Sequence, residues 1–394
     1  MSFVAVDIGA SSTRYVNERG QINVAPNNMV LFDTDELSRV NPDTSELEDC
    51  LEVYIRKVSG PECPHFPAHF LAGFMAEKYS SNNIRPSALM PKHNQRINYL
   101  SLIMACALSK IKYPMEDMIS LYFTVPPLQV DATIETMAPV LPGTYEVHLP
   151  KYINKNGQGT VVTFTIKDDI VIKEEAFMAI TSFFFNMNGT LKPQYQSILP
   201  GNTMSIDIGA TTTDLVAAKL GRYLEHSGDT YQLGGNIARS YLTDAIRKKF
   251  TIEIPVDSAD IIMREGRMQL GATYVDVSDI VSSAKKELAQ KIIANLGDYF
   301  GKIGIPISQF SAFVVSGGGS IQSQYVNENG EIVKTSEPMS YYVAEELKNI
   351  CKTISVIPYG DDSRMANIKG MFIFASMYEA KKLAQQQAQN GTTV

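Results

Sequence analysis

Asp7-Ile8-Gly9-Ala10-Ser11-Ser12-Thr13 returns two hundred positions later as Asp207-Ile208-Gly209-Ala210-Thr211-Thr212-Thr213. An apolar run precedes each copy, Phe3-Val4-Ala5-Val6 and Met204-Ser205-Ile206. An extended run follows each, Arg14-Tyr15-Val16 and Leu215-Val216-Ala217. A strand ending in Asp, a Gly turn, a set of hydroxyls and a return strand make a β-hairpin whose tip can hold an anion. One such run is weak evidence, because plain hairpin turns read the same way. Two in matching places predict two similar domains facing one ligand across a cleft.

The whole chain permits that reading. Its 394 residues favour two domains or more, each with its own core. With 44% hydrophobic and 20% charged residues the composition is that of a folded globular protein. A net charge of −7 argues against a broad nucleic-acid or anionic-membrane footprint, so any DNA connection would pass through a partner. Four cysteines make no disulfide framework, and a reducing cytoplasm fits them best. Cys50, Cys63, His65 and His69 admit a metal cluster, but without paired Cys-x-x-Cys knuckles the plainer reading is buried or surface thiols. The longest apolar stretches fall short of a membrane span, and neither a signal peptide nor an amphipathic anchoring tail is visible.

Strands alternating with helices in both halves predict an α/β architecture. Residues from about 32 to 91 read as an irregular insertion, broken by proline, asparagine and charge. Helices are expected over residues 97–111, 174–185, 236–249, 277–300 and 364–383, and buried strands over 121–125, 161–166, 170–172 and 312–315. The last strand runs into Ser316-Gly317-Gly318-Gly319. Ala366, Asn367, Gly370 and Ala375 put small residues on the final helix. They fit either a hinge between rotating domains or tight packing without motion.

A nucleoside triphosphate needs backbone N–H groups at close range to its β and γ phosphates. Glycine allows that approach and supplies positive φ where a turn demands it. Gly9 and Gly209 sit where each hairpin turns, and Arg14 can reach back with a guanidinium. Asp7 and Asp207 end their strands, where a carboxylate can hold Mg²⁺ through water. The Gly317–Gly319 run can lay flat backbone against a purine and ribose.

In these motifs and their order the chain resembles the actin-like ATPases, from Val4 to Ala375, and within them most resembles the ParM-type plasmid-segregation bacterial actins. Asp207 to Asp214 is similar to that family's second phosphate loop, and residues 170–179 to its first connecting segment. The resemblance implies an actin-like fold, two similar RNase H-like domains around a central nucleotide cleft. Residues 1–196 with 367–394 would form domain I, with an insertion at about 33–95, and 197–366 domain II. It makes Glu175 and Asp207 catalytic, with Glu175 orienting water and Glu174 the open alternative for that role, and gives the hydrated Mg²⁺ to Asp7 and Asp207. Ser11, Ser12, Thr13 and Arg14 would hold one side of the phosphates, and Gly209, Thr211 and Thr212 the other. Gly317 and Gly318 would face the adenosine, Gly235 and Asn236 border the ribose, and Arg264 or Arg267 flank the base. Departures stand out: Ala10 replaces a common Ser or Thr, Arg14 a lysine, Ala210 a glycine, and Glu174 the proline expected before Glu175.

The function so implied is a bacterial, cytoplasmic, filament-forming ATPase, using ATP or GTP with Mg²⁺. It would segregate or position plasmid DNA through a small DNA-binding adaptor, with no direct nucleic-acid or membrane contact. A small-molecule kinase of the same superfamily and a cell-shape or division actin are the rival readings.

Overall fold

A computed structural model describes residues 2–10, 12–31, 51–77, 84–87, 90–153, 156–320, 322–352, 355–360 and 363–391. Ser11, Cys50 and much of the expected insertion lie outside the described residues. The chain divides into two compact units, residues 1–178 with 187–190 and 367–394, and residues 179–186 with 191–366.

The first unit contains β1 (Ser2–Ile8), β2 (Ser12–Asn17), β3 (Ile22–Pro26), β4 (Met29–Leu31), β5 (Glu52–Lys57), β6 (Ala68–Ala72), α1 (Phe74–Glu77) and α2 (Arg96–Lys112). It continues with β7 (Met118–Val125), α3 (Val130–Thr136), β8 (Gly143–Ile153), β9 (Gly159–Ile166), β10 (Val171–Glu174) and the start of α4 (Glu175–Phe184). β1 lies antiparallel to β2 and parallel to β7. The far edge of β7 is shared: Met118 and Ile119 pair with β9, and Tyr122 to Val125 pair with β10. One branch of the sheet therefore reads β3-β2-β1-β7-β10, and the other runs on through β9-β8-β5-β6-β4. The parallel step from β1 to β7 needs a crossover, and α2 supplies it. Every residue of α2 from Ile97 to Ser109 is buried, as expected of a helix apolar around most of its circumference.

The second unit repeats the shorter branch. It comprises β11 (Asn202–Ile208), β12 (Thr213–Lys219), β13 (Arg222–Tyr223), β14 (Asp229–Tyr231), α5 (Gly235–Phe250), α6 (Val256–Glu265), β15 (Arg267–Leu270), β16 (Thr273–Asp276), α7 (Ser278–Ile303), β17 (Phe310–Ser316), β18 (Ser323–Val326), β19 (Ile332–Ser336), α8 (Met339–Ile350) and β20 (Val356–Pro358). Its main sheet runs β13-β12-β11-β17-β20, with β14 also on β12. Strand for strand this matches β3-β2-β1-β7-β10, including the antiparallel hairpin and the two parallel steps. Hairpins β15–β16 and β18–β19 are additions.

Part of the stretch read as irregular is regular, since β5, β6 and α1 lie in it, whereas residues 58–67 are turns and bends. β5 buries Val53 and Ile55 in alternation with Tyr54 and Arg56, a period-two pattern obscured by Glu52, Arg56 and Lys57. α9 (Ala366–Gly391) closes the chain. A Cβ placed on Gly370 would lie 1.8 Å from the Met178 carbonyl oxygen, so α9 runs in backbone contact with that turn of α4. Among the described residues no helix is long and apolar enough to cross a membrane.

Candidate functional site

In the first unit β1 delivers Asp7 to the end of the hairpin, where it is only 3% exposed. The antiparallel register sets Arg14 directly opposite, and Arg14 Nη1 donates to Asp7 Oδ2 at 3.0 Å. The parallel register sets Thr124 on the other side, and Thr124 Oγ1 donates to Asp7 Oδ1 at 3.1 Å. The turn closes with the Gly9 N–H donating to the Ser12 carbonyl at 3.0 Å, and Asn27 Nδ2 donating to the Gly9 carbonyl at 2.6 Å. At the same sheet end β10 passes into α4 between Glu174 and Glu175. Glu174 is 9% exposed, and burial pushes its carboxyl above the ordinary range. Glu175 instead pairs with Lys92 Nζ, which also donates to the Ile8 carbonyl at 2.6 Å.

The second unit rebuilds the same arrangement. Asp207 is 5% exposed, and Ser316 Oγ, its parallel-register neighbour on β17, donates to Oδ1 at 3.1 Å. The Gly209 N–H donates to the Thr212 carbonyl at 2.8 Å. The two hairpins thus share strand register, the hydroxyl beneath the carboxylate and the turn hydrogen bond. They differ opposite the carboxylate. Where Arg14 faces Asp7, Asp214 faces Asp207, its own carboxylate accepting from Thr230 Oγ1 at 2.6 Å. Two buried carboxylates directly opposite repel, and a divalent cation would relieve that. The pair offers the hard oxygen donors that Mg²⁺ takes.

Glycine is demanded at particular places. Gly317 has φ +92°, and a Cβ there would lie 2.4 Å from the Ile208 carbonyl oxygen and 2.5 Å from Asp207 Oδ1. Gly234 presses on the loop too, since its Cβ would lie 2.5 Å from the Thr211 nitrogen. The first N–H groups of α5 are used on the loop itself, Gly235 donating to the Gly209 carbonyl at 3.0 Å and Asn236 to that of Ala210 at 2.8 Å. Gly9 and Gly209, expected to supply positive φ at the turns, adopt no such angle. Close backbone packing accounts for them instead: a Cβ would lie 3.1 Å from the Ser12 carbonyl oxygen or 3.2 Å from that of Thr212.

Comparison with known proteins gives a consistent answer. Residues 205–325 match the family model described as archaeal actin homologue MreB-like, C-terminal. The structure superposes on Ta0583, an archaeal actin homolog, with a TM-score of 0.68 and 18% identity over 96% of this chain and all of that one. It is similar to actin-like protein Alp7A, with a TM-score of 0.69 and 17% identity, covering 98% of each chain. A third match is to the subunit of a 15-stranded ParM filament from Clostridium botulinum, at 0.64 and 16% identity over 95% of this chain and 99% of that one. A search of curated protein sequences found no match. The fold is that of the actin-like proteins. The resemblance read from the motifs therefore holds at the level of fold.

Within this actin-like fold the expected residues separate. Asp7, Ser12 and Arg14 cluster at one hairpin, and Asp207, Gly209, Thr211, Thr212, Gly235, Asn236 and Gly317 at the other. Thr13 is fully buried with its hydroxyl away from solvent, so it packs the hairpin from inside. Gly318 is unobstructed: a Cβ there would meet only Arg364 Cγ, at 3.9 Å. Arg267 is held between the rings of Tyr274 and Tyr325, 4.1 and 3.8 Å from their centroids, whereas Arg264 is exposed. His69 hydrogen-bonds Glu52 at 3.1 Å and stacks on Tyr54, and His65 lies against Tyr99. Among the described residues no group of three or more His, Cys, Asp and Glu is placed to hold a metal ion. Several residues at the site escaped sequence reading, Thr124, Gly234 and Lys92 among them. Thr124 lies in an apolar strand, Gly234 looks like its neighbour Gly235, and Lys92 sits in a proline-rich run without motif.

Proposed function

We propose that this protein is a nucleotide-dependent, filament-forming ATPase whose two hairpins serve one Mg²⁺-bound nucleoside triphosphate. The reading rests on one observation above others. Each unit carries a buried Asp at a strand end, a hydroxyl donor beneath it and a matched turn beside it. Packing alone gives no reason to build this polar arrangement twice. That Ta0583 was also solved with ADP supports nucleotide as the ligand.

In this proposal the chemistry is positioning and charge stabilisation, as phosphoryl transfer generally requires. Glu175, paired with Lys92, orients the attacking water; Glu174 is the buried neighbour, and burial raises its carboxyl. Asp207 assists that water, and Asp207 and Asp7 would hold Mg²⁺. When bound, Mg²⁺ draws off charge from the phosphate oxygens. Ser12 and Arg14 hold one side of the phosphates, Gly209, Thr211 and Thr212 the other. Gly317 and Gly318 face the base and sugar, with Gly235 and Asn236 bordering the ribose.

The likeness to ParM supports a finer proposal, that the filaments position plasmid DNA through a small DNA-binding adaptor in the bacterial cytoplasm. Light scattering and phosphate release on adding Mg²⁺ with ATP, or with GTP, test the first part together. Rising scatter with concurrent phosphate release is expected. Protein that stays monomeric at high concentration with either nucleotide overturns the filament. Phosphate passed to a metabolite instead of water would favour a small-molecule kinase.

A further inference from the structure

The ion pair between Lys92 and Glu175 has a construction that plain packing does not call for. Lys92 opens a single 3₁₀ turn, Lys92–Asn94, immediately before α2. Its backbone is clamped on both sides: the N–H donates to Gln129 Oε1 at 2.7 Å, and the carbonyl accepts from Asn98 Nδ2 at 2.8 Å. From that fixed base the side chain reaches two targets with one ammonium group, the Ile8 carbonyl and Glu175. Ile8 is the last residue of β1 and adjoins Gly9, while Glu175 is the first residue of α4. One cation therefore joins the root of the first hairpin to the start of the helix that carries the carboxylate.

Both groups are mostly withdrawn from water, with side chains 17% and 12% exposed. A largely buried ion pair is a poor way to gain stability, because desolvation of both charges offsets their attraction and an apolar pair of similar size does as well. What the pair supplies is control of one carboxylate. A counter-ion favours the ionised form of a partly buried carboxyl, and an ammonium fixed from behind restricts the orientation of that carboxylate.

We infer that Lys92 is a positioning residue, holding Glu175 ionised and aimed from a support anchored to the phosphate hairpin. The inference rests on the proposed role of Glu175 in orienting water. It also couples the two: displacement of the hairpin root moves Ile8, hence Lys92, hence the carboxylate.

Steady-state hydrolysis by Lys92→Met, Lys92→Arg, Glu175→Gln and the double variant Lys92→Met with Glu175→Gln tests this, alongside nucleotide affinity and thermal melting of each. Lys92→Met keeps the aliphatic stem. It should lower kcat about a hundredfold, the scale of a misplaced catalytic group, with nucleotide affinity within about threefold of wild type. The acidic limb of its pH–rate profile should move to higher pH, because a carboxyl stripped of its counter-ion takes up a proton more readily. Lys92→Arg should recover much of the rate, and the double variant should be no slower than Glu175→Gln alone. A Lys92→Met protein with wild-type kcat and an unmoved acidic limb overturns the inference, as does one whose main defect is nucleotide affinity. The latter would make Lys92 a phosphate ligand. Unimpaired hydrolysis by Glu175→Gln would instead remove the assignment of Glu175, on which the inference stands. Should Lys92→Met melt early, Lys92→Gln, which removes the charge but keeps a polar side chain, carries the same comparison of kcat with affinity.

Discussion

Asp7 and Asp207 occupy equivalent register positions, and their surroundings show what single side chains contribute. Each accepts one hydroxyl hydrogen bond from the neighbouring parallel strand, Thr124 or Ser316, which satisfies one oxygen of a buried carboxylate. The residue opposite sets the local charge. Arg14 pairs with Asp7, whereas a second carboxylate, Asp214, stands opposite Asp207. Gly317 is as constrained as either aspartate. Its positive φ strains any residue with a Cβ, and that Cβ would collide with Ile208 and Asp207. Gly317→Ala should destabilise the second unit by about 3 kcal/mol, combining backbone strain with overpacking, as measured by urea unfolding. A loss below about 0.5 kcal/mol would show that the loop shifts freely and that the close approach is not required.

At the level of elements, α7 contains a feature unrelated to the nucleotide motifs. Lys285 is 2% exposed on the inner face of this helix and donates to Ser323 Oγ and to the Glu337 carbonyl, both at 2.8 Å. Burial pulls its ammonium down to about 7, against an ordinary value of 10.5. Between those values the unfolded chain holds the proton more firmly than the folded one, so the contribution of Lys285 to stability rises with pH across that window. Chemical unfolding of wild type and Lys285→Met from pH 7 to 10 should show the difference moving in favour of wild type. The change should be at most about 1.4 kcal/mol per pH unit. A difference independent of pH would mean that the folded chain holds the proton as firmly as the unfolded one. Other elements were readable in advance. β7, β9, β10 and β17 lie where apolar β-branched and aromatic runs place them, and α2, α4, α5, α7 and α9 agree with their periodicity. β5 and β8 were not anticipated. Both alternate buried residues with charged or polar ones, and lysine in each, with proline in β8, dilutes the signal.

Across the whole molecule, the recurrence of one strand order in both units gives the duplication its meaning. A shared ligand makes a specific demand: damage in either unit must weaken the same binding event. Asp7→Asn in the first unit and Asp207→Asn in the second should each lower affinity for Mg²⁺-nucleotide by about tenfold or more, the scale of losing a charge-assisted contact. Both should shrink the rise in melting temperature that saturating nucleotide produces. Titration of a fluorescent nucleotide analogue into the two variants checks this. Full affinity in either variant would show that one hairpin binds alone.

The sequence by itself determined that two hairpins of one design exist, that strands and helices alternate around them, and that a glycine run follows a buried strand. Those are local properties: an Asp-Ile-Gly-Ala tip, a period of two or of 3.6, and an apolar run of a given length leave their mark on adjacent residues. Only the tertiary structure decided which side chains meet at the hairpins. Thr124, Ser316 and Lys92 reach their carboxylates across 117, 109 and 83 positions of chain. Contacts of that range are set by sheet register and crossover packing, and nothing in the residues beside Lys92 records where Glu175 will come to rest.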